Sequence, residues 1–256
     1  SLDGEAEISL GKTLGVRQAS VKLTEGRLRI ARAGLPVIAV DGKASLRHRV
    51  LDLTDVRIAL GHGSLRGDIR LGIEGKNPPV SGTVRINRLE LGELAPLLPL
   101  PSETTARGRV QGWVDISGRW PQPNLRGDIS LAEGELSSPS LPRLAKIQAR
   151  GRLSSQTLYV SMLKGEAGRT KVAGHGQIRL LPSPRLDLAL EAKEQSIEEL
   201  LGELGAPGWS GKAGLQAQLV AAPGSVTVDA RLAWDEASWQ GRPLPDGKGD
   251  VSCRVD

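Results

Sequence analysis

The chain contains no phenylalanine, one tyrosine (Tyr159), one methionine (Met162) and one cysteine (Cys253). Each scarcity removes a class of explanation. A single thiol cannot form an intrachain disulfide framework. Cys253 falls on the apolar side of the alternating stretch Val251-Ser-Cys-Arg-Val255 and reads as a packed side chain. Nucleic-acid recognition wants a basic stripe interleaved with stacking aromatics. Here 34 basic residues stand against 29 acidic ones, for a net charge of +5. The two signs alternate as on a solvated strand face. No apolar run is long enough for a transmembrane helix, and no leader or targeting pattern is visible. The sequence opens without Met and stops inside a strand pattern, so we expect a piece of a longer protein whose anchor lies elsewhere.

Catalytic groupings are also missing. His48, His62 and His175 have no partner at metal or triad spacing. The carboxylates are spread along strands and turns, without a cluster that would raise a pKa. The glycine-rich stretch from Gly61 to Gly67 lacks the lysine and the strand-to-helix context of a phosphate loop. The sequence therefore predicts no enzyme, no metal and no cofactor. Arg66-Gly67-Asp68 and Arg126-Gly127-Asp128 each sit inside a Leu-Arg-Gly-Asp-Ile strand pattern, so repetition accounts for them rather than cell adhesion. The five tryptophans (Trp113, Trp120, Trp209, Trp234 and Trp239) fall at strand edges or beside turns. Local packing explains them, and a rim at a membrane or partner surface is the alternative.

What is abundant is period-two alternation, which places aliphatic side chains on one face of a strand and polar ones on the other. Five stretches in the first half carry it: Val56, Ile58 and Leu60; Ile69, Leu71 and Ile73; Val84 and Ile86; Val110, Val114 and Ile116; Ile129 and Leu131. The second half continues with Leu158, Val160 and Met162; Ile178 and Leu180; Leu186, Leu188 and Leu190; Leu215 and Leu219; Val226 and Val228. Strands buried on both faces would read as continuous apolar runs, so the sheet is expected to be antiparallel with one wet face. Glu25-Gly26, Asp41-Gly42, Glu74-Gly75, Glu133-Gly134 and Asp246-Gly247 read as turns. Two short amphipathic helices are expected. One spans Arg88 to about Leu97, and the other follows Ser196 with a stripe of Ile197, Leu200, Leu201 and Leu204.

The pattern nearly repeats. Matching Leu125 to Val226 gives an offset of roughly 101, and Gly108 to Gly211 roughly 103, a period that belongs to elongated repeat architectures. We expect one elongated module over residues 1–256: the later part of a repeat (1–79), a full repeat (80–183) and a partial one (184–256). Its aliphatic face is either sealed against a second sheet, as in a plain sandwich or barrel, or left as an open or half-open groove. The repeat length and the continuation of the pattern to both chain ends favour the groove.

The order of motifs carries a resemblance. A short Leu-rich segment is followed by Arg107-Gly-Arg-Val-Gln-Gly-Trp-Val-Asp-Ile-Ser-Gly118, then by Pro123-Asn-Leu-Arg-Gly-Asp-Ile-Ser-Leu-Ala-Glu-Gly-Glu-Leu136. A further strand set ends in Gly174-His-Gly-Gln-Ile-Arg-Leu180. This resembles the repeat of the AsmA-like superfamily, most closely its TamB branch. The resemblance implies a mainly β fold: a long antiparallel sheet curled lengthwise into a β-taco or trough. It also implies a periplasmic protein held to the inner membrane by a segment outside this chain. The implied function is conduction of phospholipid acyl chains between the inner and outer membranes of a bacterium, with an outer-membrane β-barrel protein as a possible partner. The aliphatic residues named above would line the groove. The competing reading is a structural or chaperone module that receives strands of an outer-membrane client by strand addition.

Overall fold

The computed structural model describes residues 2–10, 14–28, 38–94, 104–138, 141–180, 183–198, 208–222 and 225–255. Almost all of them are strand. In chain order these are β1 (Leu2–Leu10), β2 (Leu14–Leu28), β3 (Ile38–Arg47), β4 (Val50–Leu60), β5 (Gly63–Gly72) and β6 (Val80–Glu90). A helical turn, α1 (Leu91–Leu94), precedes β7 (Thr105–Arg119), β8 (Gln122–Ser138), β9 (Leu141–Ser155) and β10 (Thr157–Ala167). The chain continues through β11 (Thr170–Arg179), β12 (Arg185–Ser196), β13 (Trp209–Ala222), β14 (Ser225–Trp239), β15 (Arg242–Pro243) and β16 (Gly247–Val255). Strands pair in chain order from β1 to β15, and β16 pairs with β14 beside β15. The registers described between neighbours are antiparallel. This open meander is what one-sided alternation with short connections dictates.

The chain divides into two compact units. The first comprises residues 1–96, 110–129 and 153–156; the second comprises 97–109, 130–152 and 157–256.

Several of the strands exceed ten residues, and they stay one-sided by means of bulges. A bulge inserts one residue and resets which parity faces inward. This corrects three of the expected turns. Glu25-Gly26 lies at a register shift within β2, Asp41-Gly42 at one within β3, and Glu133-Gly134 inside β8 with Glu133 at φ +54°. A bulge and a hairpin turn draw on the same glycine chemistry, so composition did not separate them. Tight hairpin turns occur instead at His48-Arg49 (φ +46° and +66°) and Gln240-Gly241 (φ +50° and +75°), the double left-handed signature of a type I′ turn.

Among the described residues the expected helices appear only as short helical stretches. β6 runs on through Arg88, which takes φ +48°, so the first helix starts later than expected, at Leu91–Leu94. The left-handed residue turns Leu89 onto Gly63, where its backbone approaches so closely that a Cβ on Gly63 would lie 2.5 Å from the Leu89 Cα. Leu89 is consequently one of the most buried side chains, at 1% exposure, as a strand residue rather than a helical one. In the second case β12 extends through Ser196, and Ile197 and Glu198, the last residues described there, are helical. Ser196 Oγ donates to Glu198 Oε2 at 3.1 Å. Residues 95–103 and 199–207, which hold the rest of both expected helices, lie outside the described residues.

Candidate functional site

The aliphatic face is the feature that the fold repeats most often. In the first unit the register of β4, β5 and β6 lines up Leu51, Leu71 and Val80; Leu53, Ile69 and Gly82; Val56, Gly67 and Val84; and Ile58, Leu65 and Ile86. Residues directly opposite in antiparallel strands share a face, so these are four transverse rows on one side. A bulge between Leu53 and Val56, with Asp55 at φ +52°, keeps both halves of β4 on that side. The sequence pattern found Val56, Ile58, Ile69, Leu71, Val84 and Ile86 but missed Leu51 and Leu53, because parity changes at Asp55, and Leu65, which shares the parity of Ile69 and Leu71 but is separated from them by Gly67. Leu60 is buried at the end of β4, whereas Ile73 lies past the end of β5 and is 51% exposed.

In the same unit Val114 and Ile116 on β7 and Ile129 on β8 are half-buried, and Val110 is buried. Glycine fits the rows together here. A Cβ on Gly67 would collide with the Thr83 carbonyl, and one on Gly127 with the Trp113 carbonyl. Gly112 stands in the same relation to the Asp128 carbonyl. Close backbone approach therefore demands glycine in both Leu-Arg-Gly-Asp-Ile stretches, which lie inside β5 and β8. Trp113, of opposite parity to Val114, is on the polar side and 37% exposed.

The second unit carries longer rows. Leu158, Ile178, Leu186, Ala221 and Val226 form one across β10 to β14. Val160, Gly176, Leu188, Leu219, Val228 and Cys253 form the next, and Leu163, Gly174, Leu190, Ala217, Ala230 and Val251 a third, both reaching β16, where Cys253 is exposed rather than packed. Leu215 lies in a fourth with Ala192, Leu232 and Gly249. A bulge between Val160 and Leu163 displaces Met162 and gives its place to Leu163. Leu180 lies one residue beyond the last paired position of β11. Leu131, on β8, leans over Gly108 and Gly134, where a Cβ would come within 3.0 Å of its methyl groups. His175 sits within β11 on the exposed side, between two glycines that make room for Leu188 and Leu190.

Exposure decides how this face is used. Of the twenty-five aliphatic residues marked by the pattern, Leu60, Val110, Val160 and Val226 are buried and Ile73 is exposed; the other twenty are half-buried. The opposite face is laced by cross-strand polar pairs: Arg66 to Asp55 at 2.7 Å, Arg70 to Asp52 at 2.6 Å and Arg231 to Asp250 at 2.9 Å. Asp52 holds the Arg70 guanidinium above its ordinary pKa through a hydrogen bond and charge. These pairs are open to solvent and worth little stability individually. They keep the polar side wet.

A depression of about 800 Å³ also crosses β10 to β14 and β16 in the second unit. Most strands contribute three successive residues, such as 189–191, 216–218, 229–231 and 250–252. The outer members of these triplets (Gln216 and Gln218, Asp229 and Arg231, Asp250 and Ser252) belong to the polar side, so the depression opens there. It is not part of the aliphatic face.

At its edge the aliphatic face is closed differently in each unit. In the first, Leu89 is followed by α1, whose Glu93 carboxylate sits over Gly61. Glu93 Oε2 is buried without a hydrogen-bond partner. Its pKa is raised by loss of solvent and by Glu90, against a smaller lowering from His62. In the second unit Ile197, Ala213 and Ala237 form a fully buried cluster, with Trp209, Trp234, Leu232 and Leu244 packed around it. Trp234 Nε1 donates to the Pro245 carbonyl at 3.0 Å.

Fold and face together define a class: an open antiparallel meander, aliphatic on one side and polar on the other. No family model matches the chain, nor does any curated protein or solved structure.

Proposed function

We propose that this chain is a section of a lipid-conducting bridge in the envelope of a diderm bacterium. Its aliphatic face would take phospholipid acyl chains while head groups stay in water. The observation that carries this reading is the incomplete burial of that face: most of its aliphatic side chains are only half-buried, and the rows they form continue from strand to strand. In a sealed sandwich the inner faces interdigitate and their aliphatic side chains are buried. Curling of the sheet lengthwise into a trough is the finer form of the same reading. The motif order, which resembles the TamB-type repeat, supports a periplasmic setting between inner and outer membranes, with the anchor in another part of a longer protein.

The physics suits the role. Exposing acyl chains to water costs about 0.8 kcal/mol per methylene, so a chain of about sixteen carbons faces a barrier on the order of 10 kcal/mol. Aliphatic rows replace water along the path, and rows without polar anchors do not trap the chain at one station. Sliding is favoured over storage.

The test is a photocrosslinking residue walked through 186–190 on β12 in cells. Positions 186, 188 and 190 are expected to capture phospholipid, and 187 and 189 to capture none. Capture without alternation would refute conduction along this face. Capture of polypeptide alone at the same positions would replace it with the strand-addition reading.

A further inference from the structure

Beyond the bulge at Glu236, the end of the aliphatic face in the second unit is not aliphatic. Trp209 pairs directly with Trp239, and Trp239 pairs directly with Arg242. The three therefore form one transverse row on the same side. The two indoles are 6.5 Å apart at 42°. Trp239 is 42% exposed, and Arg242 is exposed with no ion pair among the described residues. The nearby carboxylate of Asp246 is already engaged, accepting the Glu236 N–H at 3.1 Å.

The fold does not require this row. Gly108 and Gly211, at φ +132° and +123°, stand 103 residues apart, as do Glu133 and Glu236, at +54° and +49°. By that spacing Trp209 corresponds to Ala106, Trp239 to Leu136 and Arg242 to Pro139. The earlier copy thus builds the same bulge with Ala106 and Leu136 beside it, and its sequence holds no cation at the position matching Arg242. Two tryptophans and a free guanidinium have been added at one copy only.

We propose that this row is a head-group station for glycerophospholipid: Arg242 receives the phosphodiester while the indoles of Trp209 and Trp239 hold the glycerol and ester region. Indoles favour boundaries that are apolar at one end and wet at the other, and guanidinium pairs with phosphate in charge-assisted hydrogen bonds. The buried closure of Ile197, Ala213 and Ala237 lies directly beyond, and the half-buried row of Leu215 and Leu232 follows it, so a lipid held here by its phosphate would lay its acyl chains across that closure toward the face described above. The inference rests on the lipid-conduction reading and adds a place along the path where the head group is recognised.

The test is calorimetric titration of the purified chain with dihexanoyl-phosphatidylglycerol, with dihexanoylglycerol (which lacks the phosphate) and with inorganic phosphate. Arg242→Gln is expected to weaken phosphatidylglycerol binding about tenfold and leave dihexanoylglycerol binding unchanged. Arg242→Lys should keep most of the affinity. Equal phosphatidylglycerol affinity in wild type and Arg242→Gln would overturn the head-group station and leave conduction standing. Inorganic phosphate binding as tightly as the lipid would overturn it too, since the site would then be a plain anion site. If the wild type binds neither lipid, the conduction reading falls first and takes the station with it.

Discussion

The two closures of the aliphatic face solve one packing problem with different chemistry. In the first unit Leu89, after the left-handed Arg88, drops onto Gly63; in the second Ile197 drops onto Ala213 and Ala237. Each closure uses a single aliphatic residue with 1% exposure, leaving β6 or β12 for a helical turn, seated where small residues let it approach. The surroundings then diverge. The first closure carries a buried carboxylate oxygen without a partner, on Glu93; the second carries two tryptophans, Leu232 and Leu244. A buried plug on small residues is the structural requirement, and the surrounding chemistry is free to differ. That freedom makes the tryptophan-rich copy a candidate for function rather than for stability.

The comparison is broken most severely by removing either plug. Leu89→Ala and Ile197→Ala should each cost about 3 kcal/mol by denaturant unfolding, the typical price of emptying a well-packed aliphatic site. Hydrogen exchange should localise the damage, to β5 and β6 for Leu89 and to β13 and β14 for Ile197. Equal loss of protection across both regions would show that the closures do not act separately.

The next effect concerns glycine. Gly67→Ala forces a Cβ into the Thr83 carbonyl and should destabilise by about 2 kcal/mol. Gly249→Ala places its Cβ 3.4 Å from the Trp234 ring, an ordinary contact, and should stay within about 0.5 kcal/mol. Thermal melts of the two variants decide it. Similar melting points would mean that the sheet relaxes around Gly67 without difficulty.

A finer comparison concerns the bulges themselves. Asp55 at φ +52° sends its N–H to Asp68 Oδ1 at 2.8 Å, and Glu236 at φ +49° sends its own to Asp246 Oδ1 at 3.1 Å. Both units thus satisfy the extra residue with an aspartate from the next segment. Asp68→Ala and Asp246→Ala should each cost about 0.5–1 kcal/mol, read as a small shift of the denaturation midpoint without change of slope. A neutral result at Asp68 alone would be informative, because Arg66 also braces Asp55.

These bulges also mark the limit of what the residues reveal in advance. Alternation such as Leu186-Asp-Leu-Ala-Leu190 identifies strands and their apolar side because a period of two has no helical interpretation. It fails at Asp55, where Leu51 and Leu53 rejoin the face on the other parity, and at Met162, where the inserted residue hands its place to Leu163. Neither Asp55 nor Met162 advertises a left-handed or inserted position. Leu89 misled for a related reason. It fits the helical stripe expected from Arg88 onward, but it is set by the approach of β6 to Gly63, a long-range constraint that outweighs local propensity, and the helix starts only at Leu91. Trp239 and Arg242 share a row only because of the bulge at Glu236 and the tight turn at Gln240-Gly241, so their meeting depends on register.

The smallest expected effect is electrostatic and separates the two closures by pH. Glu93 is held above the ordinary carboxylate pKa, chiefly by loss of solvent, with Glu90 adding to the rise and His62 opposing it. A carboxyl whose folded pKa is raised is bound to its proton more tightly in the folded chain than in the unfolded one. Its contribution therefore favours the fold at low pH, and that advantage is lost as pH rises from the ordinary value, near 4.5, through the raised one. At neutral pH the ionised group costs stability. Glu93→Gln should accordingly raise the midpoint of unfolding at pH 7 and narrow its lead toward pH 4, where wild type and variant converge. The described residues packed on the second closure are all apolar, so Ile197→Val should shift stability by nearly the same amount at both pH values. A Glu93→Gln variant with a lead independent of pH would mean that the carboxylate is better solvated than its position over Gly61 implies.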